Sequence, residues 1–229
     1  MVKILKTMSH KIKFEKDRKL LCDIVLFSNT NCILDSGYNL ENFKIAYKSF
    51  GQLNKNRSNA ILVCHALTGD QFVTGKNPIT NKDGWWTRMV GPDKPINTKN
   101  YFVICSNVLG GCMGSTGPKE IDLKINAPFG SKFPSITIKD IVKVQKYLVD
   151  ALDIKKLFAV VGGSMGAMQV LQWTIDYPDK LNNAIHIAGS LKHSAQNIAF
   201  HEVGRQAIMN DPSWDQGNYK DKETKPERG

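Results

Sequence analysis

Residues 157–161, Leu-Phe-Ala-Val-Val, run without a break into Gly162-Gly163-Ser164-Met165-Gly166, and an apolar helical pattern continues from there through Trp173. A short apolar strand, a Gly-x-Ser-x-Gly turn and a helix in direct succession leave a chain few ways to fold. The serine must sit at a tight bend with strained backbone dihedrals, so that its hydroxyl projects from the end of a sheet. The residues two before and two after it must be glycine, because a Cβ at either position would collide across the turn. The helix that starts at the bend aims its free N–H groups and positive end at any negative charge that develops there. The pentapeptide alone is a weak signal, but with these flanks it reads as a nucleophile elbow rather than a glycine-rich turn with an incidental serine.

The surrounding pattern supplies the sheet that such an elbow needs. Residues 60–64, 101–105, 157–161 and 183–188 are apolar runs without alternation, as expected of strands buried on both faces. Between the second and third, Ile138, Ile141, Val142, Val144, Gln145, Leu148, Val149 and Leu152 recur at helical spacing, with Thr137 and Asp140 available to cap the start. Between the third and fourth, residues 165–177 form a second helical pattern closed by Pro178. Strand–helix–strand–helix–strand predicts a mostly parallel sheet with helices on both faces. Residues 31–35 and 43–50 alternate around a turn signal and predict an antiparallel pair at the sheet edge. The Gly-, Pro- and Asn-rich stretch 67–100 lacks periodicity and is read as a functional excursion. The expected division is a leader over 1–30, an α/β core over 31–190, and the start of a helical lid over 191–229, polar and turn-rich from 211.

Composition narrows the function classes. With 41% hydrophobic and 23% charged residues, a 229-residue chain can bury a core without disulfide staples. The five cysteines (22, 32, 64, 105 and 112) are odd in number and form no CxxC pair. They predict free thiols in a reducing compartment, with no metal site. Charge interrupts every short apolar run near the N-terminus, so neither a signal peptide nor a membrane span is expected, and a cytoplasmic protein is. The net charge of +10 is mostly scattered lysine without basic–aromatic blocks, which predicts a solvated surface and not a nucleic-acid footprint. Such a surface would also help to gather an anionic cosubstrate.

A serine hydroxyl needs a base, and the oxyanion it produces needs donors. One donor is expected to be the N–H of Met165, the residue after the nucleophile, and the other the N–H of Leu67, in the loop after strand 60–64. His65 lies in that loop, but in elbow folds of this kind the base follows the nucleophile in the chain, so a structural role is expected for it. Trp85 and Trp86 are expected to pack the base of the excursion, Arg205 to pair along a helix surface, and Cys112 to be a loop thiol.

Several strings together resemble the homoserine O-acyltransferases of methionine biosynthesis, members of the α/β-hydrolase superfamily. These are AYKSFGQLN (46–54), NAILVCHALTGD (59–70), GWWTRMVGP (84–92), NYFVICSNVLGGCMGSTGP (100–118), FPSITIKDIV (133–142), VVGGSMGAMQVLQW (160–173) and RQAIMNDPSW…GNY (205–219). The resemblance runs from about residue 34 to the end of the chain. It implies an α/β-hydrolase fold and a ping-pong reaction without cofactor. Ser164 takes an acetyl or succinyl group from an acyl-CoA cosubstrate and passes it to the hydroxyl of L-homoserine, while Leu67 and Met165 supply the oxyanion amides. It implies a shaping role for loop 107–118 and a homodimer for the intact enzyme.

Beyond Ser164 one further strand is legible, whereas in this fold the acid and base follow later strands. His186, His193 and His201 fall in a strand and a helix pattern, and none is taken as the base. The sequence therefore reads as C-terminally truncated, and the expectation is that this chain is inactive and unstable alone. Two other readings remain: an esterase or thioesterase on the same fold, with water as acceptor, and a non-catalytic fragment. Among transferases, L-serine or another alcohol is a further acceptor.

Overall fold

The computed structural model describes residues 4–7, 10–122, 125–217 and 225–227. Of the leader, residues 1–3 and 8–9 lie outside that set, as do 218–224 and 228–229 of the polar stretch at the end. The described chain separates into two compact units. One comprises Met1–Gly117 with Pro134–Gly189, and the other Pro118–Phe133 with Ser190–Gly229.

The first unit is built on an eight-stranded sheet. Its strands are β1 (Ile4–Thr7), β2 (His10–Asp17), β3 (Cys22–Ser28), β4 (Phe43–Phe50), β5 (Ala60–Cys64), β6 (Phe102–Ser106), β7 (Leu157–Gly163) and β8 (Leu181–Ile187). They lie in the order β1-β2-β3-β4-β6-β5-β7-β8. The four apolar runs form its parallel half, with Ala60 opposite Phe102, Ile61 opposite Ala159 and Leu157 opposite Leu181. The other half is antiparallel and comes largely from the segment read as a leader. In β2, Ile12 and Phe14 are half-buried while Lys11, Lys13 and Glu15 are exposed, a period of two obscured by the high charge. The expected pairing of 31–35 with 43–50 does not form. β4 pairs with β3 on one side and β6 on the other, so it is interior and not an edge. Residues 31–35 instead make one bridge, Ile33 to Asn39, and bury Cys32 and Leu34 beside a tight turn at Gly37.

Helix α1 (Ile138–Ala151) starts with a capping box in which Thr137 accepts from the Asp140 N–H and Asp140 from the Thr137 N–H. Asp140 also accepts from the Asp35 amide, tying the loop before β4 to this helix. Helix α2 (Met165–Asp176) packs beside α1 on the same face of the sheet. The other face is covered by the excursion. Ile61, Val63, Val103, Cys105, Ala159 and Val161 form one cluster with Val73 and Val90, and Trp86, Met89 and Tyr101 close over it. A segment without periodicity thus does the covering that a second helix layer does elsewhere. Strand β8 differs from the expectation of full burial: Leu181 is buried, but the rest is exposed at the sheet edge.

Four thiols are buried and Cys112 is exposed. Burial pushes Cys32 up to about 11 and Cys64 up to about 12, so both remain protonated at neutral pH. Among the described residues no helix is long and apolar enough to cross a membrane, and no His/Cys/Asp/Glu cluster is arranged for a metal.

The second unit holds α3 (Ala195–Met209), capped by Ser194, whose hydroxyl accepts from the Asn197 N–H. None of the residues of α3 is buried. Arg205 pairs with Glu202 one turn earlier on its surface. His193 and His201 stack with ring centroids 5.2 Å apart.

Candidate active site

Strand β5 lies between β6 and β7. The chain moves to one side of it on leaving β5 and to the other on leaving β6, so the carboxyl ends of β5 and β7 form a topological switch point, the place where open α/β sheets leave a crevice. Gly162 stands opposite Cys64 in the ladder, which brings the loops after the two strands together.

Ser164 is the first residue after β7 and the N-cap of α2. Its dihedrals, φ 57° and ψ −123°, lie where an L-residue with a Cβ is strained, and its residue is exposed. Its N–H donates to the Ile187 carbonyl at 3.1 Å, pinning the bend to β8. Its side chain makes no capping bond to the helix, which leaves the hydroxyl uncommitted. The two flanking glycines are dictated by contact. A Cβ at Gly162 would lie 2.5 Å from the Gly166 carbonyl oxygen, and one at Gly166 only 2.1 Å from that of Cys64. Gly163 is different, since a Cβ there meets nothing closer than 3.8 Å.

Met165 opens α2, and Leu67 is exposed in the loop after β5. Among the described residues, neither N–H donates to a backbone carbonyl. The loop itself is held tightly. The Gly69 N–H closes a turn on the Ala66 carbonyl at 2.9 Å, and the Asp70 carboxylate accepts from the Phe72 amide and the Asn77 side chain, both at 2.8 Å.

His65 is 1% exposed, and both ring nitrogens are engaged. The Val108 N–H donates to Nε2 at 3.2 Å, so the proton sits on Nδ1, which donates to the Ala66 carbonyl at 2.7 Å. The ring is a neutral strut between two loops, and the expected structural role is what the geometry supports. Burial lowers its pKa from 6.5, outweighing the opposing effects of the Ala66 carbonyl and Asp70. The unfolded chain therefore takes up a proton near pH 6.5 while the folded chain does not. Stability is then full above that pH and declines as pH falls from about 6.5 toward the folded value. Urea denaturation between pH 5 and 8 is expected to show this slope in the native protein and a shallower one in His65→Gln.

Loop 107–118 is knitted to its surroundings by side chains that motif reading passed over. Asn107 accepts from the Met113 N–H at 3.1 Å, and Ser115 donates to the Asn107 carbonyl at 2.6 Å while accepting from the Ala46 amide at 3.0 Å. The Gln71 side chain donates to the Met113 carbonyl at 2.8 Å. Trp85 stacks on Trp86 and donates to the Asp70 carbonyl, which places both at the base of the excursion. Gln145 and Gln169 were also missed as site elements. They sit fully buried between the helices and the loop after β5, where a polar residue on an apolar helical stripe was the available signal. Within the sheet unit, no imidazole among the described residues hydrogen-bonds to the Ser164 hydroxyl.

Comparison with known proteins agrees with this fold. The chain is 58% identical over 196 residues to the homoserine O-acetyltransferase of Rhodospirillum rubrum, covering 86% of this chain and 50% of that protein. Among solved structures, it superposes on homoserine O-acetyltransferase from Bacillus anthracis with a TM-score of 0.80 at 28% identity, over 90% of this chain and 57% of the other. It superposes on esterase E22 with a TM-score of 0.77 at 31% identity, over 99% and 58%. The chain spans about half the length of the curated relatives it matches. The family model for the alpha/beta hydrolase fold matches residues 59–228, and with a strained serine at the β7–α2 junction the chain belongs to the α/β-hydrolase fold family.

Proposed function

We propose that the protein is an acyltransferase that moves an acetyl group from acetyl-CoA to the side-chain hydroxyl of L-homoserine through an acyl-enzyme on Ser164. The observation that carries this reading is the exposed serine at φ 57° and ψ −123°, seated on glycines that cannot be replaced without backbone collision. The similarity to homoserine O-acetyltransferases supplies donor and acceptor. The Ser164 Oγ attacks the thioester carbonyl and loses its proton to a base; the tetrahedral oxyanion is met by the Leu67 and Met165 amides; the coenzyme leaves as thiol. The homoserine hydroxyl then attacks the serine ester, and Ser164 regains its proton as O-acetylhomoserine departs. No cofactor beyond the acyl-CoA cosubstrate enters, and the resemblance adds a homodimer in the cytoplasm.

Among the described residues, His65 has both ring nitrogens occupied, and His186 lies opposite Gly162 on β8. The test is made on the product of the gene's entire reading frame. Free CoA release from acetyl-CoA is followed with and without L-homoserine. Release that depends on homoserine supports transfer, and equal release in its absence sinks it in favour of hydrolysis, the reading for which the likeness to esterase E22 speaks. Succinyl-CoA and L-serine in the same assay fix donor and acceptor.

A further inference from the structure

Behind the elbow lies a closed chain of buried hydrogen bonds that none of the catalytic roles uses. Trp173, Gln145 and Gln169 are at most 2% exposed. The Trp173 indole N–H donates to Gln145 Oε1 at 2.9 Å, and Gln145 Nε2 donates to Gln169 Oε1 at 2.8 Å. Gln169 Nε2 then donates to two carbonyls, that of His65 at 3.1 Å and that of Met165 at 3.3 Å. The direction of the whole relay follows from its first member. An indole nitrogen can only donate, so it draws the Gln145 carbonyl toward itself and turns the Gln145 amide nitrogen to Gln169. Gln169 must answer with its own carbonyl, which leaves both of its N–H groups for the two backbone oxygens. The Cys64 thiol, held protonated by burial, adds a weak contact to Gln145 Oε1 at 3.9 Å.

The two carbonyls at the end of the relay belong to the two segments that carry Leu67 and Met165. One side-chain amide thus bridges the loop after β5 and the first turn of α2, at the junction where the two meet. We infer that Gln169, oriented through Gln145 by Trp173, is the positioning residue that fixes the spacing between loop 65–69 and the start of α2. This rests on the acyl-transfer reading only for its consequence, that the spacing of the two oxyanion amides follows.

Trp173→Phe tests the relay, because it keeps an aromatic ring in the packing and removes the N–H that sets the direction, together with part of the indole volume. The readout is native-state hydrogen exchange at Gly69, whose amide bonds to Ala66, and at Val108, whose amide bonds to His65. Val25 and Ile45, paired across β3 and β4, serve as the reference for global stability. Loop amides are expected to exchange about tenfold faster relative to that reference, although the hydrogen bonds of Trp173 reach the loop only through Gln145 and Gln169. Gln169→Glu, which keeps the shape and removes both donors, is expected to give a larger shift at the same amides. Unchanged exchange at Gly69 and Val108, or acceleration equal to that of Val25 and Ile45, overturns the inference. In the whole gene product, Trp173→Phe is expected to lower kcat with KM for homoserine unchanged. Since exchange is measured without substrate, an effect on the loop together with no acyl group on Ser164 leaves the relay standing and removes the acyl-transfer reading.

Discussion

Ser164→Ala in the whole gene product is expected to lower acetyl transfer to homoserine by about 10⁴-fold or more, the scale of losing the nucleophile from an acyl-enzyme site. After brief mixing with acetyl-CoA, mass spectrometry should find the acetyl increment on the peptide containing Ser164 in the native protein and not in the variant. Transfer that survives the substitution within tenfold would mean that homoserine attacks the thioester directly, and the two-step scheme would fail. The same position carries a second effect of opposite sign. A serine at φ 57° and ψ −123° stores strain of about 1–3 kcal/mol that alanine keeps, because alanine retains the Cβ. Glycine adopts these dihedrals freely, at the cost of up to about 1 kcal/mol in unfolded-state entropy. Ser164→Gly is therefore expected to be more stable than Ser164→Ala by about 1 kcal/mol in urea denaturation. Equal stabilities would show that the bend is relaxed in solution. A gain for glycine over alanine would show that the fold holds a Cβ-bearing residue 164 in a strained bend.

The elbow was legible because its constraint is local: two glycines and a serine between an apolar strand and a helix have one steric solution. The parallel strands and α1, with its Thr137–Asp140 box, followed from periodicity and capping for the same reason. What escaped reading depends on partners distant in sequence. Strand β2 was hidden because lysine and glutamate on its solvent face broke up the apolar signal, and β4 drew the wrong partner because the shorter loop favoured residues 31–35 over β3. The excursion offers no period, yet Val73 and Val90 are fully buried beneath it, since irregular backbone can cover a sheet when its polar groups are met locally, as Asp70 and Asn77 meet them. The relay was half visible. Gln145 appeared within the apolar stripe of its helix, a polar residue where burial was expected, but its role emerges only when Gln169, 24 positions on, is found 2.8 Å away.

Gly166→Ala is expected to be the most damaging single methyl that can be added near the site, costing about 3–5 kcal/mol in urea denaturation. The new Cβ would lie 2.1 Å from the Cys64 carbonyl oxygen and 3.3 Å from that of His65. Both are backbone atoms. Cys64 ends β5 and is held in the middle of the sheet, while Gly166 belongs to the first turn of α2, and neither can move without breaking a ladder or a helix. Gly163→Ala is the control. Its Cβ approaches only the Ile187 carbonyl, at 3.8 Å, and its cost is expected to stay below about 1 kcal/mol. A small loss at Gly166, equal to that at Gly163, would mean that α2 does not ride on the end of β5. The contact matters beyond stability, because the same approach that forbids a methyl lets Gln169 reach the His65 carbonyl and brings the loop of Leu67 beside the serine. Where the variant still folds, the helix must lift from the strand. The two amides would then part, and acyl transfer is expected to fall further than the lost stability alone explains.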